Sequence, residues 1–121
     1  YAWDTTIEFI QKVNSDYGSS SEEGNYSNTT FSYTDITGAS KTKAKSLDVL
    51  VPTGQTTPVC NIYDMGGNVY EWSTESYFIT INHTLRGGDY EDYDSDGPAG
   101  VRFHHTNSAS VSYGFRLTIF M

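Results

Sequence analysis

The chain has 121 residues, enough for one domain and too few for two. A formal net charge of −8 and a pI near 4.5 argue against nucleic-acid binding, which needs clustered Lys and Arg against phosphate. The single cysteine, Cys60, rules out an intrachain disulfide and a cysteine-based zinc site, and no apolar run approaches the roughly 20 residues of a membrane span.

In chain order, the first expected element is a short amphipathic helix over Ala2 to Val13. Trp3, Ile7, Ile10 and Val13 recur at helical spacing, with Asp4 or Thr5 as the cap. Asn14 to Ser40 is polar and aperiodic and reads as loop, with one short strand over Thr30 to Tyr33. The spaced lysines Lys41, Lys43 and Lys45 read as solvated surface. Leu47 to Val51 reads as an apolar strand closed by Pro52-Thr-Gly54. Val69 to Trp72 alternates as a strand does, Tyr77 to Ile81 is β-rich, and Val101 to His104 and Gly114 to Phe120 are the expected closing strands. Three glycosylation sequons, at Asn25, Asn28 and Asn82, carry little weight in a chain so rich in Asn, Ser and Thr. Aromatic residues at 15%, ten of them tyrosine, make a compact core feasible despite a hydrophobic share of 36%. The expectation is one α+β domain with much irregular backbone, spanning 1–121. The chain opens at Tyr1 rather than methionine and reads as part of a longer protein.

Three blocks carry most of the information: Asn61-Ile-Tyr-Asp-Met-Gly-Gly-Asn-Val-Tyr-Glu-Trp72, Arg86-Gly-Gly88 and Gly114-Phe-Arg116. Gly66 and Gly67 permit a tight turn at positive φ, and Asp64 and Glu71 flank that turn as oxygen donors. For Glu71 two readings stand level, a calcium ligand or the partner of a buried arginine. Arg86 and Arg116, beside glycines, suit bidentate hydrogen bonding within the fold, and Trp72 and Phe115 read as core. In order and spacing the blocks resemble the formylglycine-generating-enzyme, or sulfatase-modifying-factor, family. Pro52-Thr-Gly54, Pro58 and Ser108-Ala-Ser110 extend the likeness, which is specific from about Val51 onward, weaker over the Trp3 helix and absent from Asn14 to Lys45. The resemblance implies a C-type-lectin-like fold with one or two short helices. It also implies a calcium site of the Asp64 and Glu71 side chains with the Gly67 and Val69 carbonyls. Trp72, Arg86, Gly87, Gly88, Gly114, Phe115 and Arg116 become its structural anchors.

One departure decides the reading of activity. Oxidising members of the resembled family hold copper with a cysteine pair just after Arg-Gly-Gly, and thiolates suit Cu(I) by their softness. Here Gly88 is followed by Asp89, Tyr90, Glu91 and Asp92, and no cysteine follows Cys60. The chain is therefore expected to bind no copper and to be no enzyme, with Cys60 a small buried hydrophobe. His104 and His105 are adjacent and face opposite ways on a strand, and no serine has a nucleophile elbow. Asp92-Tyr-Asp-Ser-Asp-Gly97 matches half of an EF-hand loop but lacks its closing glutamate, so a solvated recognition loop is preferred.

Function is expected between Asp89 and Tyr113. Asp89, Tyr90, Glu91, Asp92, Tyr93, Phe103, His104, His105, Asn107 and Tyr113 are the candidate ligand-binding residues, because Tyr among Ser, Gly and Asn is the vocabulary of antibody paratopes. Non-enzymatic relatives of the resembled family, including variable proteins of diversity-generating retroelements, bind through this face. The expectation is thus a binding module on a phage tail or bacterial surface, extracellular or on a virion. Its partners would be a protein or glycan ligand and the rest of its own chain or assembly, without membrane insertion. A structural domain decorating a surface or filament protein is the alternative, and a cryptic enzyme ranks last.

Overall fold

The computed structural model describes residues 2–18, 23–59, 61–78, 82–106 and 108–116, with backbone alone for 77, 78, 82 and 106. Cys60, Asn107, the stretch 79–81 and the expected strand beyond Arg116 lie outside the described residues. The fold is α+β: helix α1 (Ala2–Ile10), a hairpin of β1 (Phe31–Thr34) and β2 (Ser40–Lys43), and a four-stranded sheet of β3 (Tyr70–Phe78), β4 (Asn82–Arg86), β5 (Arg102–Thr106) and β6 (Tyr113–Phe115).

Helix α1 is shorter than its periodicity suggests. It ends at Ile10 and passes into turns, so Val13 is 73% exposed instead of lying on the apolar face. Ile7 and Ile10 are buried with Tyr17, Met65 and Ala99, and Trp3, Val59 and Ile62 pack against them. Asp4 does not cap the helix. Its carboxylate lies inside the first turn and pairs with Arg86 at 2.6 Å and Arg102 at 2.8 Å, a role that sequence spacing could not reveal. The Trp3 indole donates to the Ala99 carbonyl at 2.8 Å, and its ring lies 5.8 Å from each of the Arg86 and Arg116 guanidinium groups. The helix is thereby fastened to the sheet by one aromatic ring and one carboxylate.

The hairpin corrects two expectations. β2 falls where Ser-Lys-Thr-Lys offers no apolar alternation and its lysines read as solvated surface, yet it pairs with β1 from Phe31↔Lys43 to Thr34↔Ser40. Asp35 sets the turn, its Oδ1 accepting from the backbone N–H of Thr37 and Ala39 and from the Thr37 hydroxyl. Lys43, expected in solvent, is only 2% exposed and donates to the Tyr26 carbonyl, and burial lowers its ammonium pKa. Leu47 to Val51 forms no strand. Leu47 and Leu50 are half exposed, and the segment is held by amide side chains instead. Asn25 donates to the Val49 carbonyl at 2.7 Å, while Asn68 accepts from Val51 N–H at 3.0 Å and donates to its carbonyl at 2.9 Å. Two asparagines stand in for a partner strand.

In the sheet the order is β5-β4-β3-β6, with β3 antiparallel to β4, β4 antiparallel to β5, and β3 parallel to β6. Of the separate strands expected over Val69 to Trp72 and Tyr77 to Ile81, residues 70–72 and 77–78 belong to one long bulged strand, and 79–81 lie outside the described residues. β4 was not foreseen, because Asn82-His-Thr reads as a sequon rather than as part of a strand. Two glycines are required by close approach. A Cβ on Gly67 (φ +71°) would lie 2.6 Å from the Asn25 carbonyl oxygen, and one on Gly88 (φ +70°) would lie 2.0 Å from that of Gly97. Gly66 has no positive φ; its absent side chain makes room for the Tyr26 hydroxyl.

Among the described residues eleven polar or charged side chains are buried against nine hydrophobic ones. Hydrogen bonding therefore has to specify much of the interior, since each buried polar group left unpaired costs about 1–3 kcal/mol.

Candidate binding face

Strand alternation sorts the sheet into two unlike faces. One carries Tyr70 and Trp72 of β3, His83 and Leu85 of β4, Phe103 and His105 of β5, and Tyr113 and Phe115 of β6, in register across the strands. The rings touch in sequence. Tyr70 lies 5.7 Å from Phe103 and 6.2 Å from Tyr113, Trp72 lies 5.6 Å from Tyr113 and 6.3 Å from His83, and His105 lies 5.2 Å from Tyr113. Leu85 at its centre is fully buried, whereas Phe103 is 45% and Phe115 75% exposed. Phe115 was expected in the core. It is instead an outward aromatic on the last described strand, because the parallel register with β3 puts it beside Trp72 and not under the helix. Trp72 is only half-buried.

The other face is charged and meets α1. Arg86, 1% exposed, pairs with Asp4; Arg102 bridges Asp4 and Glu75 at 2.8 and 3.1 Å. Burial pushes the Asp4 carboxyl up, but the hydrogen bond and charge of Arg86, with Arg102, outweigh it and leave its pKa lowered. Arg116 grips Glu71 with two bonds of 2.8 and 2.7 Å and donates to the Tyr63 and Asp64 carbonyls at 2.8 and 2.7 Å. Burial raises the Glu71 carboxyl against the opposing pull of Arg116. Of the two readings left level for Glu71, this geometry takes the arginine partner.

The implied calcium set fits this arrangement poorly. Both Glu71 oxygens accept from Arg116, the Asp64 carboxylate accepts from the Gly54 and Thr56 N–H groups, and the Gly67 carbonyl accepts from Val69 N–H. Among the described residues no group of three or more His, Asp or Glu side chains is placed to hold a metal ion.

The acidic loop after Gly88 divides between architecture and surface. Asp89, placed among the ligand-binding candidates, is 6% exposed. Its Oδ1 accepts from Glu91 and Asp92 N–H, closing a turn, and burial raises its pKa against those bonds. Asp94 is 8% exposed and exchanges two hydrogen bonds with Asn28, so the half EF-hand pattern is spent on a loop-to-loop contact. Tyr93 is 55% exposed, Glu91 is exposed, and Tyr90, Asp92 and Tyr113 are half-buried. His105 joins the aromatic face and His104 points to the other one, as their adjacency predicts. Sequence reasoning missed Tyr70 and His83, although both sit at alternating positions with Trp72 and Leu85 in their strands.

The sequence matches, over residues 1–120, the family described as the FGE-sulfatase, or sulfatase-modifying factor enzyme 1-like, domain. The chain belongs to this family. The family match runs through the stretch from Asn14 to Lys45, where no motif was legible, and no curated protein or solved structure matches the chain. The copper chemistry of the family's oxidising members does not fit these residues. The positions after Gly88 offer carboxylates and a phenol, hard donors where Cu(I) calls for thiolates.

Proposed function

We propose that the chain is a non-enzymatic ligand- or receptor-binding module displayed on a phage tail or bacterial surface. It binds through the aromatic face of the sheet together with the exposed part of the 89–113 segment. The observation that carries this reading is the contiguous run of Tyr70, Trp72, Phe103, His105 and Tyr113 rings, with Tyr70 itself buried and Phe103, Phe115 and Tyr93 held partly in solvent. Exposed contiguous aromatics on a small domain mark interaction sites, and hot spots concentrate in such residues. The lack of any cysteine beyond Cys60 supports the non-enzymatic part.

The test is binding of the fluorescently labelled chain to a panel of bacterial cells, read against a Phe103→Ala/Tyr93→Ala double variant. Saturable binding lost in the double variant is the expected result. Binding that the variant retains in full, or copper-dependent oxidation of cysteine peptides by the chain, refutes the proposal. A second reading, a structural domain decorating a larger assembly, draws on the burial of Asp89 and Asp94, which ties half of the acidic loop into the fold. Absence of binding to every cell tested favours that reading.

A further inference from the structure

β5 and β6 lie at opposite edges of the four-stranded sheet, so the chain between them must cross β4 and β3. The crossing leaves an open groove of about 580 Å³, walled by Trp72, Ser73, Thr74 and His83 from the strands and by Ser108 and Ala109 from the crossing segment. That volume lies within the roughly 300–1,000 Å³ typical of small-molecule sites.

The chemistry of the walls narrows the ligand. Among the described residues they offer an indole, an imidazole, a methyl group and the hydroxyls of Thr74 and Ser108, that of Ser73 being engaged by the Thr84 carbonyl and Glu75 N–H, and no carboxylate, ammonium or guanidinium. A charged ligand entering here would lose hydration without gaining a partner of opposite sign, and the net charge of −8 further opposes an anion. A purely apolar ligand would cover the hydroxyls and imidazole without bonding them. What satisfies both demands is a neutral ring molecule with an apolar flank and several hydroxyls. The platform is also held in place: Trp72 is braced by His83 and Tyr113 in two near-perpendicular ring contacts, at 90° and 82°. Ser108 is braced in turn, its hydroxyl 3.3 Å from His105 Nδ1. A preorganised wall loses less entropy on binding.

We infer that this groove binds a neutral pyranose, with the sugar's C–H face against Trp72 and its hydroxyls on His83, Thr74 and Ser108. The inference rests on the binding-module reading and names the ligand class of the same face.

The experiment uses neutral methyl glycosides of glucose, galactose, mannose and N-acetylglucosamine, read by saturation-transfer NMR and titration, with EDTA present and absent. At least one glycoside should bind, EDTA should leave its affinity unchanged, and the corresponding uronic acid should bind at least tenfold more weakly. Trp72→Ala and His83→Ala should each weaken binding at least tenfold. Trp72→Phe, which keeps a ring and the fold, should retain measurable binding. No binding by any glycoside, or binding undiminished in His83→Ala and Trp72→Ala, overturns the inference. The cell panel separates it from its parent reading. Trp72→Ala and His83→Ala variants that bind cells like the unaltered chain sink the groove alone. Glycoside binding that depends on Trp72, in a chain that binds no cells, sinks surface recognition alone.

Discussion

Removing the Arg116 guanidinium tests how the second sheet face is held. In Arg116→Met the aliphatic stem persists, but Glu71, 9% exposed, loses two charge-assisted hydrogen bonds, and the Tyr63 and Asp64 carbonyls lose one each. Breaking a buried pair by deleting one partner costs about 3–5 kcal/mol. The Arg116 side chain is 31% exposed, so water can reach the vacated site and the lower end applies, about 3 kcal/mol. At this chain length each kcal/mol moves Tm by roughly 3–6 °C. The loss should also depend on pH. Burial already raises the Glu71 carboxyl above its ordinary value of 4.5, and without Arg116 it rises further. A carboxyl with a raised folded pKa favours folding most when protonated, and that contribution is lost as pH rises through the folded pKa. The deficit of the variant is therefore full at pH about 8 and shrinks toward pH about 5, as Glu71 takes up a proton. Urea unfolding at both pH values measures it, with Glu71→Gln/Arg116→Met expected to recover most of the loss. A deficit below about 1 kcal/mol that is the same at both pH values, the cost of an ordinary surface change, refutes the reasoning.

Asn68→Ala strips the Val51 backbone of both its partners and puts alanine at φ +67°, so it should cost about 3 kcal/mol in urea unfolding, with Asn68→Asp intermediate. Tyr93→Ala, on a residue 55% exposed, should leave stability within about 0.5 kcal/mol while weakening cell binding. Because Arg116 supplies the positive charge at Glu71, neither EDTA nor added calcium should shift Tm, and a calcium-dependent rise would return Asp64 and Glu71 to the role of ligands. Alkaline pH should unfold the domain together with tyrosine ionisation. Burial raises Tyr17 to about 12 and lifts Tyr26 and Tyr70 as well, with the hydrogen bond to Asp92 adding to the shift of Tyr70. Groups raised in this way lose their contribution as pH climbs above the unfolded value of about 10, each by about 1.4 kcal/mol at pH about 11. Ionisation of all ten tyrosines while the circular dichroism stays native would contradict the burial of these three.

Family membership, the α+β class, the buried Arg86 and the opposite facing of His104 and His105 were all legible in the sequence. Each depends on local order: a motif spacing, a β-rich composition, a glycine beside an arginine, a period of two. The sequence could not show that Asp94 would be drawn inward, because its partner Asn28 lies far along the chain, whereas Asp89 is held by a local turn through the Glu91 and Asp92 N–H groups. Nor could it show Lys43 turned onto Tyr26, Asp4 serving two arginines of the sheet, or Phe115 facing out. Those follow from which strand lies beside which. Tyr70, Trp72, His83, Phe103, His105 and Tyr113 come from four segments, and only the β5-β4-β3-β6 order, with β6 added in parallel to β3, places their rings on one face. Sequence alternation determines that each strand has two unlike sides. Tertiary pairing alone decides which side the helix covers with a charge network and which gathers the aromatic rings.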